Sequence, residues 1–361
     1  MRILFCNITY LNKYEGKIAS DAILTGGSWV KEHEDAHEKW NFLNMNGLCY
    51  GFVQNPKSQF RIEQLEGVST KDSYAENSII VWCARNKEGK TVIVGWYENA
   101  KIYREYLNMY CTPISGLERS YMCETKAEDA YLLPDMYRTF EISRASETGQ
   151  GTDFGQQNYW YANNDFAKEN IIPEVMKFIE AHRKYRINAV TSEFGEPDNL
   201  DEPISEWEVK TLYKLYEEDE YKDFLPLGYR YFKQTNSADE AFALATALRE
   251  LHQYDESLKW YNKVVEIEGE SWENQGILTY MNAQCEHYEE AIKLAKSLLD
   301  YPECSNQDVK DEVYGALADN NFFAGNIEES IKWIDKVLEE SSNEGMKEFV
   351  ESLKTNWSQF L

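Results

Sequence analysis

His33 and His37 stand four residues apart with Glu34 between them, in the run His33-Glu-Asp-Ala-His37. On a helix that spacing would turn two imidazoles toward one zinc ion and offer the glutamate to activate water. The surroundings argue against it. Positions 31–39 are charged almost throughout and leave Ala36 alone inside the run, with Val30 before it, whereas a metalloprotease helix buries one face. Gly26 and Gly27 precede the run, and no third ligand is marked downstream. The expectation is a solvated turn, with no metal and no cofactor.

Other catalytic signatures are missing or misplaced. There is no G-x-x-x-x-G-K-[ST] phosphate loop and no G-x-S-x-G nucleophile elbow. Gly149-Gln-Gly151 does not lead from a strand into a helix, so a dinucleotide fold is unsupported. His182, His252 and His287 fall on helical stretches or their turns, and Cys83, between Trp82 and Ala84, reads as core. No residue is nominated as catalytic.

What remains is a set of aromatics and amides beside glycines. Gly27-Ser-Trp29, Val94-Gly-Trp96-Tyr97 and the segment 154–163, with Gln156, Asn158 and Trp160, each place rings next to flexible backbone. Rings stack on any base, and amides pair with base edges. Trp29, Trp96, Tyr97 and Trp160 are therefore candidate walls of a base-binding cage, with Gln156 and Asn158 as its readers. Lys101, Arg104, Arg183, Lys184 and Arg186 are the cations available for a nucleic-acid backbone. The same rings in a β-rich domain also read as ordinary core, and both readings stay open.

The elements that would position them differ between the two halves of the 361-residue chain. Residues 1–190 carry short β-rich runs at 3–8, 48–53, 78–84, 91–96, 101–106, 121–126 and 137–142, with a tight connection at Glu98-Asn-Ala between two of them. An amphipathic helix from Asp165 to about Tyr185 follows. The pattern predicts an α+β domain built on a small, partly closed barrel. The run from Thr91 to Tyr106 is similar to a strand-turn-strand of the PUA superfamily. It resembles more specifically the EVE-like modules that precede HNH nucleases in restriction enzymes specific for modified cytosine. Ile3–Asn7, Gly26-Gly27, Val81-Trp82 and Gln157–Tyr161 fit the same resemblance, which covers about the first 185 residues. It implies a flipped modified base enclosed by aromatic side chains. No H-N-H motif follows, so cleavage would fall to another protein.

The second half repeats. Gln253-Tyr-Asp-Glu-Ser-Leu and His287-Tyr-Glu-Glu-Ala-Ile lie 34 residues apart, and Asn326-Ile-Glu-Glu-Ser-Ile follows after 39, with room for an insertion near 302–308. Ala245, Thr279 and Ala318 are small where two helices must approach, as are Ser257, Ala291 and Ser330. This period resembles the tetratricopeptide repeat, which implies an all-α array that binds protein partners. The turn glycine of that repeat is kept only as Gly325, with His252 and Glu286 at the equivalent places. Residues 207–233 read as a divergent helix pair capping the stack, and 343–361 as a closing helix. The stretch 191–203, with two prolines and several carboxylates, reads as an acidic linker, leaving 204–361 to the repeats.

Charge follows the same division. Residues 1–190 hold 22 Lys+Arg against 25 Asp+Glu, and the rest hold 15 against 38, a net of −23. The repeats should repel phosphate and anionic lipid. Seven cysteines without a C-x-x-C pair predict reduced thiols, no apolar run is long enough to span a membrane, and the start reads as a strand, so a cytoplasmic location is expected. Three functions stay open: a non-catalytic reader of a nucleobase with a partner-recruiting tail, an interaction scaffold with no nucleic-acid role, or a hydrolase whose catalytic residues match no recognised motif.

Overall fold

The computed structural model describes residues 2–16, 37–57, 59–110, 118–144 and 157–360. The chain divides into two compact units between Glu193 and Phe194.

The first unit is built on one mixed sheet. Its strands are β1 (Ile3–Ile8), β2 (Leu48–Gly51), β3 (Tyr74–Arg85), β4 (Thr91–Tyr110), β5 (Glu118–Lys126), β6 (Ala130–Leu132) and β7 (Tyr159–Trp160). They lie in the order β2-β5-β4-β3-β1-β7, with β6 paired to β4 off that path. β1 runs parallel to β3, while β3–β4, β1–β7, β2–β5 and β4–β6 are antiparallel. The expected barrel is not closed among the described residues: β2 and β7 end the order at opposite edges.

Both faces of the sheet are covered, and strand alternation sorts its side chains between them. Leu4, Ile80, Trp82 and Tyr97 join one core. Phe5, Val81, Trp96 and Leu133 join the other, where Val175, Phe178 and Ile179 of α1 (Ile172–His182) pack. The helix expected over 165–185 is present, with a π-helical turn at Ala167–Ile171 before α1 and a 3-10 turn at Arg183–Tyr185 after it.

Two strand expectations need correction. The supposed turn at Glu98-Asn-Ala lies inside one continuous strand, β4, opposite a stretch of β3 where the register shifts. Asn77 and Asn99 both take left-handed backbone there, at φ 51° and 49°, a conformation asparagine tolerates better than most residues. The run 137–142 is not a strand. It holds the end of a 3-10 turn at Asp135–Tyr137 and one bridge, from Glu141 to Val92.

The second unit holds nine α-helices among its described residues: α2 (Glu206–Glu217), α3 (Tyr221–Thr235), α4 (Ala238–Glu250), α5 (Tyr254–Glu268), α6 (Trp272–Gln284), α7 (Tyr288–Leu298), α8 (Gln307–Phe323), α9 (Ile327–Glu340) and α10 (Glu344–Trp357). The pairs α4/α5, α6/α7 and α8/α9 are the three expected repeats. Each pair turns at one left-handed residue, His252 (φ 58°), Glu286 (φ 59°) or Gly325 (φ 82°). Across each turn an amide reaches back to a carbonyl of the first helix: Gln253 N to Leu248 O, His287 N to Asn282 O and Asn326 N to Asn321 O, all 2.8 Å. The small residues let the paired helices approach closely. Ser257 Oγ donates to Ala245 O at 2.7 Å and Ser330 Oγ to Ala318 O at 2.8 Å, while Ala291 occupies that place in the middle pair.

The divergent pair α2/α3 has the same construction. Asp219 takes φ 58°, and Glu220 N donates to Leu215 O at 2.9 Å. Leu212 and Phe224, both buried, replace the small pair of the other units. Beneath it, the acidic stretch expected as a linker carries a 3-10 turn at Thr191–Phe194. Tyr229 donates to Phe194 O, and the Arg230 guanidinium to Glu202 O and Pro203 O. The insertion near 302–308 forms a 3-10 turn, Pro302–Ser305, with Cys304 buried. The closing helix is α10, whose Trp357 stacks on Phe322 at 4.2 Å.

Candidate functional site

Trp96 and Tyr97 are fully buried and leave β4 toward opposite cores, so they cannot wall one cage. Tyr97 meets Phe42 and Trp82 edge-on, and burial pushes its hydroxyl pKa well above the usual tyrosine range. Trp96 stacks on Tyr131 at 5.2 Å and donates its indole N–H to Glu98 at 3.0 Å. The glycine beside them is a packing glycine. A Cβ at Gly95 would collide with the Tyr131 carbonyl on β6 and the Phe42 ring.

Trp160 is half-buried on β7, opposite Phe5 and 5.2 Å from its ring, in the same core as Trp96. Asn158 donates to Gln54 O at 3.3 Å, and its carbonyl accepts from Asn7 N. Trp29, Gln156 and the residues His33–Ala36 lie outside the described residues.

The nominated cations do not form a stripe, because the protein's own groups hold them. Arg104 pairs with Glu63 at 2.7 Å and bonds the carbonyls of Asp72 and Ser69. Arg183 pairs with Glu98 at 2.8 Å, and Arg186 bonds the carbonyls of Glu128 and Ala130. Both guanidinium groups lie over Tyr131, at 6.0 and 4.8 Å. Trp96, Arg183 and Arg186 are thus brought together around one tyrosine as a structural stack. Lys101 lies over Tyr74 and Tyr103, and Lys184 over Tyr185.

Nucleophiles are equally muted. Cys6, Cys49, Cys83 and Cys123 are buried free thiols. Burial pushes Cys49 up to about 12 and raises the other three as well, so none is a ready thiolate at neutral pH. Among the described residues, no group of three or more His, Cys, Asp or Glu side chains is placed to hold a metal ion. Among the described residues, no helix is long and apolar enough to cross a membrane.

The second unit exposes rings on successive first helices. Tyr213 on α2, Phe242 on α4 and Tyr280 on α6 are 50%, 39% and 43% exposed. Each sits on the first helix of its pair. Tyr213 contacts Tyr231 of α3 and Phe242 contacts Tyr261 of α5, so these two rings are seated on their own helix pairs while one side stays open. These rings went unremarked in the sequence because a lone aromatic on an amphipathic helix reads as core. Their recurrence on successive first helices was the available signal.

No family profile matches the chain, and no curated protein resembles it in sequence. Solved structures that are similar in part include residues 41 to the end of MamA from Desulfovibrio magneticus RS-1. That match spans 43% of this chain and 89% of that one, at 10% identity and a TM-score of 0.34. A Podosopora anserina kinesin light chain protein with nearly identical TPR-like repeats matches 43% of this chain and 84% of its own, at 11% identity and a TM-score of 0.35. The argument rests on the helix pairs themselves. Their shared turn, period and close small-residue contacts make the second unit tetratricopeptide-like.

Proposed function

We propose that the chain is a non-catalytic interaction scaffold whose helical array recruits a protein partner. The observation that carries this reading is the succession of four helix pairs built on one turn, with large aromatic side chains left open on the first helices of three of them. A stacked array exposes a long surface that no single pair could offer, and partly exposed Tyr and Phe are the side chains that anchor protein interfaces. The acidity of this half selects against nucleic acid and in favour of a basic partner. Recognition of a modified base by the first unit has no comparable support, since Trp96 and Tyr97 are committed to its two cores.

The test is affinity capture with the full chain, comparing wild type with a Phe242→Ala/Tyr280→Ala double variant. A protein retained in stoichiometric amount by the wild type should be lost by the variant at unchanged melting temperature. Retention of the same protein by both would sink this reading of the face.

A further inference from the structure

Four tyrosines form a row across the sheet of the first unit. Tyr74 on β3, Tyr103 on β4, Tyr121 on β5 and Tyr50 on β2 stand on strands that follow one another in the sheet order. Each ring meets the next edge-on, at 6.3, 5.9 and 4.9 Å in turn. Their chain neighbours Ala75, Ile102, Met122 and Cys49 are buried in the first core, so alternation turns the four rings to the other side of the sheet. None of the four joins either core. Tyr74 is 42% exposed, and the other three are half-buried.

Lys101 indicates what these rings accept. It precedes Tyr103 by two residues on β4, and its Nζ stands 4.3 Å from the centre of the Tyr74 ring and 5.1 Å from that of Tyr103. It makes no ion pair among the described residues, so the two rings are its partners. Two tyrosine rings at 65° that share one ammonium form the start of an aromatic cage for a cation. Glu124 accepts from the Tyr103 hydroxyl at 2.8 Å and adds a negative charge to the same place.

We propose that this row is a recognition site for a trimethylated lysine side chain on a partner polypeptide, and that Lys101 plugs its cage until such a side chain displaces it. An unmodified lysine competes poorly. Its ammonium is as strongly hydrated as that of Lys101, which is tethered at the site and so has the higher local concentration. A trimethylammonium sheds its water at less cost and keeps its attraction to the ring faces. Three strand spacings make the row about 14 Å long, room for about four extended residues. The residues flanking the modified lysine can therefore lie on Tyr121 and Tyr50, which a free quaternary ammonium in the cage does not reach. The site belongs to the first unit and does not rest on the scaffold reading of the helical array.

The experiment is fluorescence anisotropy on the full chain with a labelled heptapeptide, Ala-Val-Ala-Lys-Ala-Val-Ala, whose lysine is either trimethylated or plain, and with choline as competitor. The trimethylated peptide should bind saturably, and the plain one at least about tenfold more weakly. Lys101→Met, which removes the resident cation, should tighten the trimethylated peptide by about five- to tenfold. Tyr74→Ala should weaken it by at least about tenfold, and Tyr74→Phe should restore it, because the ring and not the hydroxyl meets the cation. A merely structural Tyr74 would lower the melting temperature and leave peptide binding as it was. No saturable binding by either wild type or Lys101→Met, equal binding of the two peptides, or an unchanged affinity in Tyr74→Ala overturns the site. Weaker binding by Lys101→Met overturns the plug, and choline that competes at the peptide's own concentration overturns a polypeptide as the source of the cation. The Phe242→Ala/Tyr280→Ala variant should bind the trimethylated peptide as wild type does, so this site and the scaffold reading stand or fall separately.

Discussion

Glu286 is an exposed glutamate in left-handed backbone at a place where the equivalent turn has Gly325. A Cβ in that region costs about 1–2 kcal/mol, part of which glycine gives back as unfolded-chain entropy. Glu286→Gly should therefore stabilise the array by about 0.5–1 kcal/mol in urea melts, and Gly325→Ala should destabilise it by about as much. His252→Gly should gain less, because the histidine ring also bonds the Tyr254 hydroxyl at 2.8 Å. Asp319 is a second residue-scale case: burial alone raises its pKa from 3.8 to about 7. Its folded value lies above its unfolded value, so it disfavours folding increasingly as pH rises from about 4 and fully above about 7. Asp319→Asn should raise the melting temperature by at least about 2 °C at pH 8 and change it little at pH 4. At this scale the sequence was legible but misread. Adjacent residues of a strand leave it on opposite faces, so Trp96 and Tyr97 could not have shared a cavity however flexible the neighbouring glycine. Gly95 marked a close approach of strands, which no single-chain pattern separates from a loop.

Elements with strong periodicity were the most readable. The three repeats, the closing helix and α1 all stand where apolar spacing put them, because an amphipathic stripe fixes which face is buried. What escaped was the pair α2/α3 as a full repeat. Its small residues are replaced by Leu212 and Phe224 and its turn glycine by Asp219, so the composition signature is gone while the backbone geometry persists. The continuity of β4 escaped for the opposite reason: Glu98-Asn-Ala has turn chemistry, but pairing with β3 absorbs it as an irregularity. The start of α2 yields a prediction of its own. Ser205 and Glu208 form a reciprocal cap, and the Ser205 backbone N–H, then its hydroxyl and then Arg230 hold the Glu208 carboxyl at about 2 rather than 4.5. The folded value is depressed, so the stabilisation is present above about pH 4.5 and is lost as pH falls toward 2. An acid titration of the array followed by circular dichroism should show this limb, and Glu208→Gln should flatten it.

For the molecule as a whole, the division near residue 193 has a practical edge. A fragment beginning at 204 keeps all nine helices, yet it discards Phe194 O, Glu202 O and Pro203 O, which accept from Tyr229 and Arg230. Arg230 is buried and would be left with Glu208 alone among these partners, at 2.9 Å. Both fragments should be strongly helical, but one beginning at 194 should be more stable in urea by about 2 kcal/mol or more, counting about 0.5–1.5 kcal/mol for each bond lost. Equal stability would show that the acidic stretch is a tether and no part of the fold. The hydroxyl ties between paired helices carry a different kind of consequence. Ser257 and Ser330 rivet the pairs on either side of α6/α7, where Ala291 has no hydroxyl to make the same tie. A stack of such pairs behaves as a spring whose stiffness is set coil by coil. Load applied at either end gathers in the unriveted middle coil, and the array changes its pitch there before it yields anywhere else.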